Sequence, residues 1–215
     1  MKNMILFCLL LIIGAGQHSI AGGADKTIAN LQSAFKGEST ASARYAAYAI
    51  KAREEHLVYI AVLFEATSKA EEIHAANHKS VLEKMGQKAD PVKPAFEVKS
   101  TGENLEAAIK GETYEMTTMY PEFIATAKAE DAQAAVKSFR WAMDTEKKHQ
   151  VMYQNALTAL NAKKADTLPK VYWVCPKCGN TYDVLKPEAS CAFCSTKSFK
   201  TWYLSPLAVV FISVF

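Results

Sequence analysis

The chain has 215 residues, 50% of them hydrophobic and 22% charged, with a formal net charge of +3. That length supports one sizeable domain and a small one, and the composition excludes a disordered chain. The near-balanced charge, with no basic run interleaved with aromatics, excludes a nucleic-acid binder.

Residues 1–21 read as an export signal. Lys2 precedes an apolar run from Met4 to Gly16, then Gln17-His18-Ser19 and a small-x-small site at Ser19-Ile20-Ala21. The run is shorter than the roughly 20 residues needed to span a bilayer, so cleavage after Ala21 is expected rather than anchoring. No twin Arg precedes it, which fits a general secretory route and a periplasmic or otherwise exported location. Cys8 goes with the leader, and loss of Lys2 lowers the net charge from +3 by one to +2.

From Asp25 to about Glu54, Ile28, Leu31, Ala34, Phe35, Ala41, Tyr45, Tyr48 and Ala49 recur at helical spacing. Glu38 sits inside that stripe, and Tyr45 lies two turns on, on the same face. A surface carboxylate is the plain reading of Glu38, but a carboxylate within an apolar stripe implies a buried partner. Arg53-Glu54-Glu55-His56 offers no Gly or Pro to stop the helix. A second helix is expected from about Leu57 to Met85, closed by Gly86, with Ile60, Leu63, Phe64, Thr67, Glu71, His74, His78 and Leu82 as its stripe. His56 and His78 are further metal candidates. Ala75 stands before His78 at the position where Glu71 precedes His74, so His78 reads as structural or exposed.

Residues 87–101 hold Pro91 and Pro94 and form a long crossover of the kind found in ferritin-like bundles. A third helix begins near Gly102-Glu103 and carries Glu112 and Glu115 on one face, with Pro121 expected to kink or break it. The fourth, roughly Asp131 to Lys163, lines up Val136, Phe139, Ala142, Met143, Glu146, His149, Tyr153 and Leu157. Glu146-x-x-His149 repeats the spacing of Glu71-x-x-His74, and in a helix such a pair projects from nearly one face. One Glu from each of two helices plus Glu-x-x-His from each of two others is the ligand set of a carboxylate di-iron four-helix bundle. The intervals agree. Glu38 to Glu71 and Glu112 to Glu146 differ in length by a single position, which suggests two helical hairpins related by a pseudo-twofold. Redox-active iron suits carboxylate oxygen with some imidazole nitrogen. Glu71 and Glu146 are the natural bridges, Glu38 and Glu112 the terminal ligands, and Glu115 a fifth carboxylate able to move on and off. Burial of five uncompensated carboxylates is prohibitive without metal.

After a polar linker at 164–170, Cys175-Pro176-Lys177-Cys178 and Cys191-Ala192-Phe193-Cys194 form two Cys-x-x-Cys knuckles on either side of 179–190. That spacing signals zinc or a single iron, which it does not separate; two disulfides are the weaker alternative. Tyr172, Trp173, Tyr182, Phe193, Phe199 and Trp202 would shield the site. Residues 204–215 are nearly all apolar and too short to cross a membrane as a helix. An added strand, a cover for an apolar patch and a sequence artefact all remain open for that tail.

Over residues 25–203 the chain resembles rubrerythrin, through Gly37-Glu38-Ser39 with Arg44-Tyr45, Glu71-x-x-His74, Gly111-Glu112-x-x-Glu115, Met119-Tyr120-Pro121-Glu122-Phe123, Glu146-x-x-His149 and the paired knuckles. The resemblance implies a mainly α protein: a ferritin-like four-helix bundle over 25–163 with a long crossover, then a small rubredoxin-like domain over 171–203. It implies a non-haem peroxidase that reduces hydrogen peroxide to water at a di-iron site, in oxidative-stress defence. Electrons would come from a donor protein through one iron on Cys175, Cys178, Cys191 and Cys194 (zinc the alternative), usually from the partner subunit of a head-to-tail homodimer or a higher oligomer. It further implies that His74 and Glu115 exchange as ligands of one iron, and that Tyr45 and Tyr120 hydrogen-bond the ligating carboxylates from outside. The leader departs from the mostly cytoplasmic family and calls for a periplasmic electron carrier. A ferritin-like iron-oxidising or iron-handling protein is the second reading, against which the four-cysteine domain counts; a zinc-ribbon module on a structural bundle is the third.

Overall fold

Leu31, Ala34, Glu38, Ala41, Tyr45, Tyr48 and Ala52 are buried along a single helical stripe, and the rest of the bundle is laid against them. The computed structural model describes residues 24–184 and 188–197, together with the backbone of strands at 202–205 and 208–210. The expected export leader falls outside the described residues, as do the side chains of the apolar tail and of Phe199 and Trp202.

Four long helical runs form the bundle: α1 (Asp25–Glu54), α2 (Val58–Lys84), α3 (Thr101–Tyr114) continuing through a π-helical stretch (Glu115–Met119) into α4 (Tyr120–Ala129), and α5 (Gln133–Asn161). The α1–α2 turn needs no glycine, because His56 itself takes the left-handed conformation (φ 60°) while Leu57 N donates to Ala52 O at 2.8 Å. His56 is therefore the exposed end-cap of α1, and it stands outside the metal-donor clusters formed by the described residues. The two helices approach closely where serines face each other: Ser42 Oγ donates to Ser68 O at 2.9 Å and Ser68 Oγ to Ser42 O at 2.8 Å.

The crossover is fastened to α1 by Gln32, which donates to Lys88 O and accepts from Asp90 N. It delivers Ser100 as the cap of α3, where Ser100 and Glu103 satisfy each other's backbone N–H groups in a capping box. The break at Pro121 takes a specific form. Proline lacks the N–H that would bond back to the preceding turn and crowds the carbonyl there. The stretch before it is π-helical, which is one residue inserted into an otherwise continuous helix.

Within the bundle, the buried apolar side chains of the described residues form two clusters, with a polar layer between them. One contains Tyr45, Tyr48, Leu63, Phe64, Leu105 and Tyr153, the other Leu31, Leu82, Tyr120, Ile124, Val136 and Phe139. Along each helix the acidic and imidazole residues fall where the stripe passes from one cluster to the other: Glu38 between Ala34 and Ala41, Glu146 between Ala142 and Met152.

A short 3₁₀ turn (Ala165–Thr167) leads to β1 (Tyr172–Val174) and β2 (Thr181–Tyr182), with β3 (Trp202–Ser205) and β4 (Ala208–Val210) completing an antiparallel sheet in the order β2-β1-β3-β4. Trp173 pairs with Tyr182 on one side and Tyr203 on the other, and Leu204 pairs with Val209. Of the apolar tail, the backbone at 204–205 and 208–210 is thus strand.

Candidate metal centres

Glu38, Glu71, His74 and Glu146 form one group whose donor atoms all lie within 4.8 Å of one another, and Glu71, Glu112, Glu146 and His149 form a second. Glu71 and Glu146 belong to both, which is the geometry expected of bridges between two ions. All six residues are buried. Glu115 joins neither group; it sits half-buried on the π-helical stretch.

The donor set fits metal on a direct test. Glu38 Oε2, Glu71 Oε1, Glu112 Oε2, both carboxylate oxygens of Glu146 and His149 Nδ1 are buried without a hydrogen-bond partner. His149 Nδ1 lies 3.1 Å from Glu71 Oε1 and 3.0 Å from Glu146 Oε2, close but misdirected for hydrogen bonds. Converging lone pairs with nothing between them are costly unless a cation takes them. Acid–base properties agree. Burial, with the charge of neighbouring carboxylates, raises Glu38, Glu112 and Glu146 well above the usual carboxylate range. Burial pushes Glu71 the same way, but His149 and His74 outweigh it and hold that carboxyl at about 2. Without metal the cluster therefore retains protons that metal ions would displace.

Two tyrosines brace the terminal carboxylates. Tyr45 donates to Glu112 Oε1 at 2.6 Å, and Tyr120 donates to Glu38 Oε1. Behind Tyr120 the sequence missed a chain of bonds. His78 Nε2 lies 3.1 Å from the Tyr120 hydroxyl and Ser138 Oγ 2.9 Å from His78 Nδ1. Because the Tyr120 proton goes to Glu38, His78 Nε2 donates to Tyr120 and Nδ1 accepts from Ser138. His78 is structural and fully buried rather than exposed, with burial pushing its pKa down to about 3. On the other side Thr67 hydrogen-bonds the Tyr153 hydroxyl, and the Tyr153 ring packs edge-on against Tyr45.

The tyrosine positions explain the single-position mismatch between the two half-bundles. Tyr45 precedes Glu71 by the same interval as Tyr120 precedes Glu146, whereas Glu38 precedes Tyr45 by seven and Glu112 precedes Tyr120 by eight. The extra residue lies wholly within the π-helical segment, where Glu115 also lies.

At the second centre, Cys175, Cys178, Cys191 and Cys194 bring their four sulfurs within 4.8 Å of one another. All four are free thiols: Cys175 Sγ to Cys194 Sγ is 3.6 Å and Cys178 Sγ to Cys191 Sγ 3.5 Å. These separations approach the edge of a tetrahedron with bonds of about 2.3 Å, so the disulfide alternative falls. Trp141 of α5, Tyr182 and Phe193 pack around the sulfurs, with Trp141 an addition from the bundle that the knuckle sequence did not reveal.

The two centres touch within one chain. His149 Nε2 lies 2.8 Å from Thr181 Oγ1, and Asn77 Nδ2 donates to Lys177 O at 2.9 Å. Lys148 donates to Asn180 Oδ1 and to Thr181 O while its ammonium sits 4.5 Å from the Tyr182 ring centroid.

Comparison with known proteins agrees with this geometry. The family model for rubrerythrin matches residues 29–157. Rubrerythrin-2 of Clostridium acetobutylicum is 34% identical over 171 residues, covering 79% of this chain and 92% of that protein. The structure of mixed-valence nigerythrin superposes with a TM-score of 0.73 at 31% identity, covering 82% of this chain and 86% of that one. Fully reduced, all-ferrous nigerythrin gives 0.72 at 31% identity over 88% and 91%. The fold is ferritin-like, the carboxylate–histidine cluster and the four-cysteine cluster are the donor sets for a di-iron site and a rubredoxin-like iron, and the chain belongs to the rubrerythrin family.

Proposed function

We propose that this oxidoreductase-family protein is a non-haem di-iron peroxidase that reduces hydrogen peroxide to water in oxidative-stress defence. One peroxide, two electrons and two protons give two waters, and the electrons originate in an external electron-donor protein. The observation that carries this reading is the seating of the four-cysteine knuckle against both histidines of the carboxylate cluster. An iron-oxidising protein has no use for a one-electron centre in that position.

When bound, the irons would supply the electrons that break the O–O bond. In this reading the chain's own residues have separate tasks. Glu38, Glu71, His74, Glu112, Glu146 and His149 would hold the irons, Glu71 and Glu146 being common to both donor groups, with the histidines presenting Nδ1. Tyr45 and Tyr120 fix the terminal carboxylates by donating to one oxygen and leaving the other for metal. Glu115 would be the ligand that exchanges with His74. Burial, then the charge of Glu71, raises its carboxyl to about 8 against the pull of Arg44, so Glu115 can hold a proton near neutral pH. Assembly as a homodimer or higher oligomer belongs to the same proposal. So does export under residues 1–21, which places the electron donor outside the cytoplasm.

The test is donor-dependent peroxide consumption by the wild-type protein and Cys178→Ser, with ferrous oxidation followed in parallel. Peroxide turnover is expected to disappear in the variant while ferrous oxidation continues. Wild-type turnover in Cys178→Ser contradicts the relay and favours the iron-handling reading.

A further inference from the structure

The two histidines of the carboxylate cluster are held differently on their outer edges. Thr181 Oγ1 donates its single proton to Gly179 O at 3.1 Å, so at 2.8 Å it accepts from His149 Nε2–H. That bond fixes the His149 tautomer and ring plane and leaves Nδ1 as the inward lone pair. His74 also turns Nδ1 inward, 2.8 Å from Glu71 Oε2 and 3.0 Å from Glu146 Oε1. Its Nε2, however, is buried with no partner, and what lies against it is Gly179.

Gly179 has φ +81°, and a Cβ built on it would overlap His74 Nε2, lie 2.6 Å from His74 Cδ2 and stand 3.2 Å from Ala70 O. The turn by itself does not demand glycine. The second knuckle repeats it: Gly179 N donates to Cys175 O at 2.9 Å, and Ser195 N to Cys191 O at 2.8 Å, with Ser195 at φ 54°. A serine therefore serves where no imidazole faces the turn.

We propose that Gly179 is a positioning residue whose missing side chain lets the first knuckle close over His74, while Thr181 locks His149, so that the knuckle holds one imidazole fixed and leaves the other without an outer tether. This deepens the peroxidase reading and rests on it for its purpose: the ring left untethered is the one implied to exchange with Glu115, and the knuckle that bounds it carries the electron-delivering site.

A double-mutant cycle on the full-length chain, with the four-cysteine metal retained and its thiolate band monitored, tests it without turnover. Gly179→Ser, which copies the chain's own Ser195, is expected to lower the unfolding midpoint by roughly 4–8 °C with His74 present. In the His74→Ala background the same substitution is expected to cost less than half as much, because the clash is gone while any turn strain remains. If Gly179→Ser folds only together with His74→Ala, that rescue also supports the proposal. Equal losses in both backgrounds, or failure of both chains to hold the four-cysteine metal, overturn it by showing that the turn alone requires glycine. None of these readouts involves peroxide, so the seat and the peroxidase reading fail independently.

Discussion

Tyr45 and Glu112, far apart in the chain, are joined by a buried hydrogen bond of 2.6 Å from the phenol to carboxylate Oε1. Its counterpart joins Tyr120 to Glu38, so each helical hairpin braces the terminal carboxylate of the other. Tyr45→Phe keeps the ring in its aromatic cluster with Tyr48, Phe64 and Tyr153 but leaves a buried acceptor unpaired. The expected loss is about 1–3 kcal/mol, a fall in melting temperature of roughly 2–12 °C. Thermal unfolding followed by circular dichroism checks it, and an unchanged midpoint means the bond does not hold Glu112.

The π-helical stretch yields a deletion experiment. Removing exposed Thr118 shortens the interval from Glu112 to Tyr120 until it equals the one that separates Glu38 from Tyr45. The helix then closes as an ordinary α-helix, with the bundle intact and Glu115 turned out of place. Peroxide turnover is expected to fall at least about tenfold, with the same outcome expected for Glu115→Ala, while far-ultraviolet dichroism stays within a few per cent of wild type. Full turnover in either variant removes Glu115 from the mechanism.

His78 sets an acid limit on stability. Its folded pKa of about 3 lies below the ordinary histidine value, so between pH 6.5 and 3 the unfolded chain takes up a proton that the folded chain refuses. Stability rises with pH across that window and falls on acidification. His78→Gln, which retains one donor and one acceptor, is expected to flatten the pH dependence of the melting temperature there relative to wild type. Parallel curves for the two proteins would mean that His78 does not stay neutral on folding.

Much of this was legible in the sequence, for identifiable reasons. Glu38, Glu71, Glu112, Glu146 and the histidines of both Glu-x-x-His pairs meet because each interrupts a helical apolar stripe, and the stripe decides which way a side chain faces. The knuckles were legible because two-residue spacing constrains where thiolates can point. The stripe already contained Thr67 and His78, but their pairing with Tyr153, Tyr120 and Ser138 was not legible, because periodicity gives the face of one helix and not what meets it from another. Gly179 and Thr181 were hidden for a different reason: their roles exist only once the knuckle is laid on α2 and α5, a contact between positions distant in the chain. The capping box at Ser100 and Glu103 was there to be read, since Ser-x-x-Glu ahead of a helix is itself the signal.

The most direct test of the peroxidase account is metal content together with the visible spectrum of the purified protein, recorded as isolated, after dithionite and after peroxide. About three irons per chain, bleaching of the thiolate-to-iron band on reduction and its rapid return with peroxide are the expected result. Two irons and one zinc, with no reducible thiolate band, would contradict it, because the four-cysteine site could then pass no electron to the carboxylate cluster.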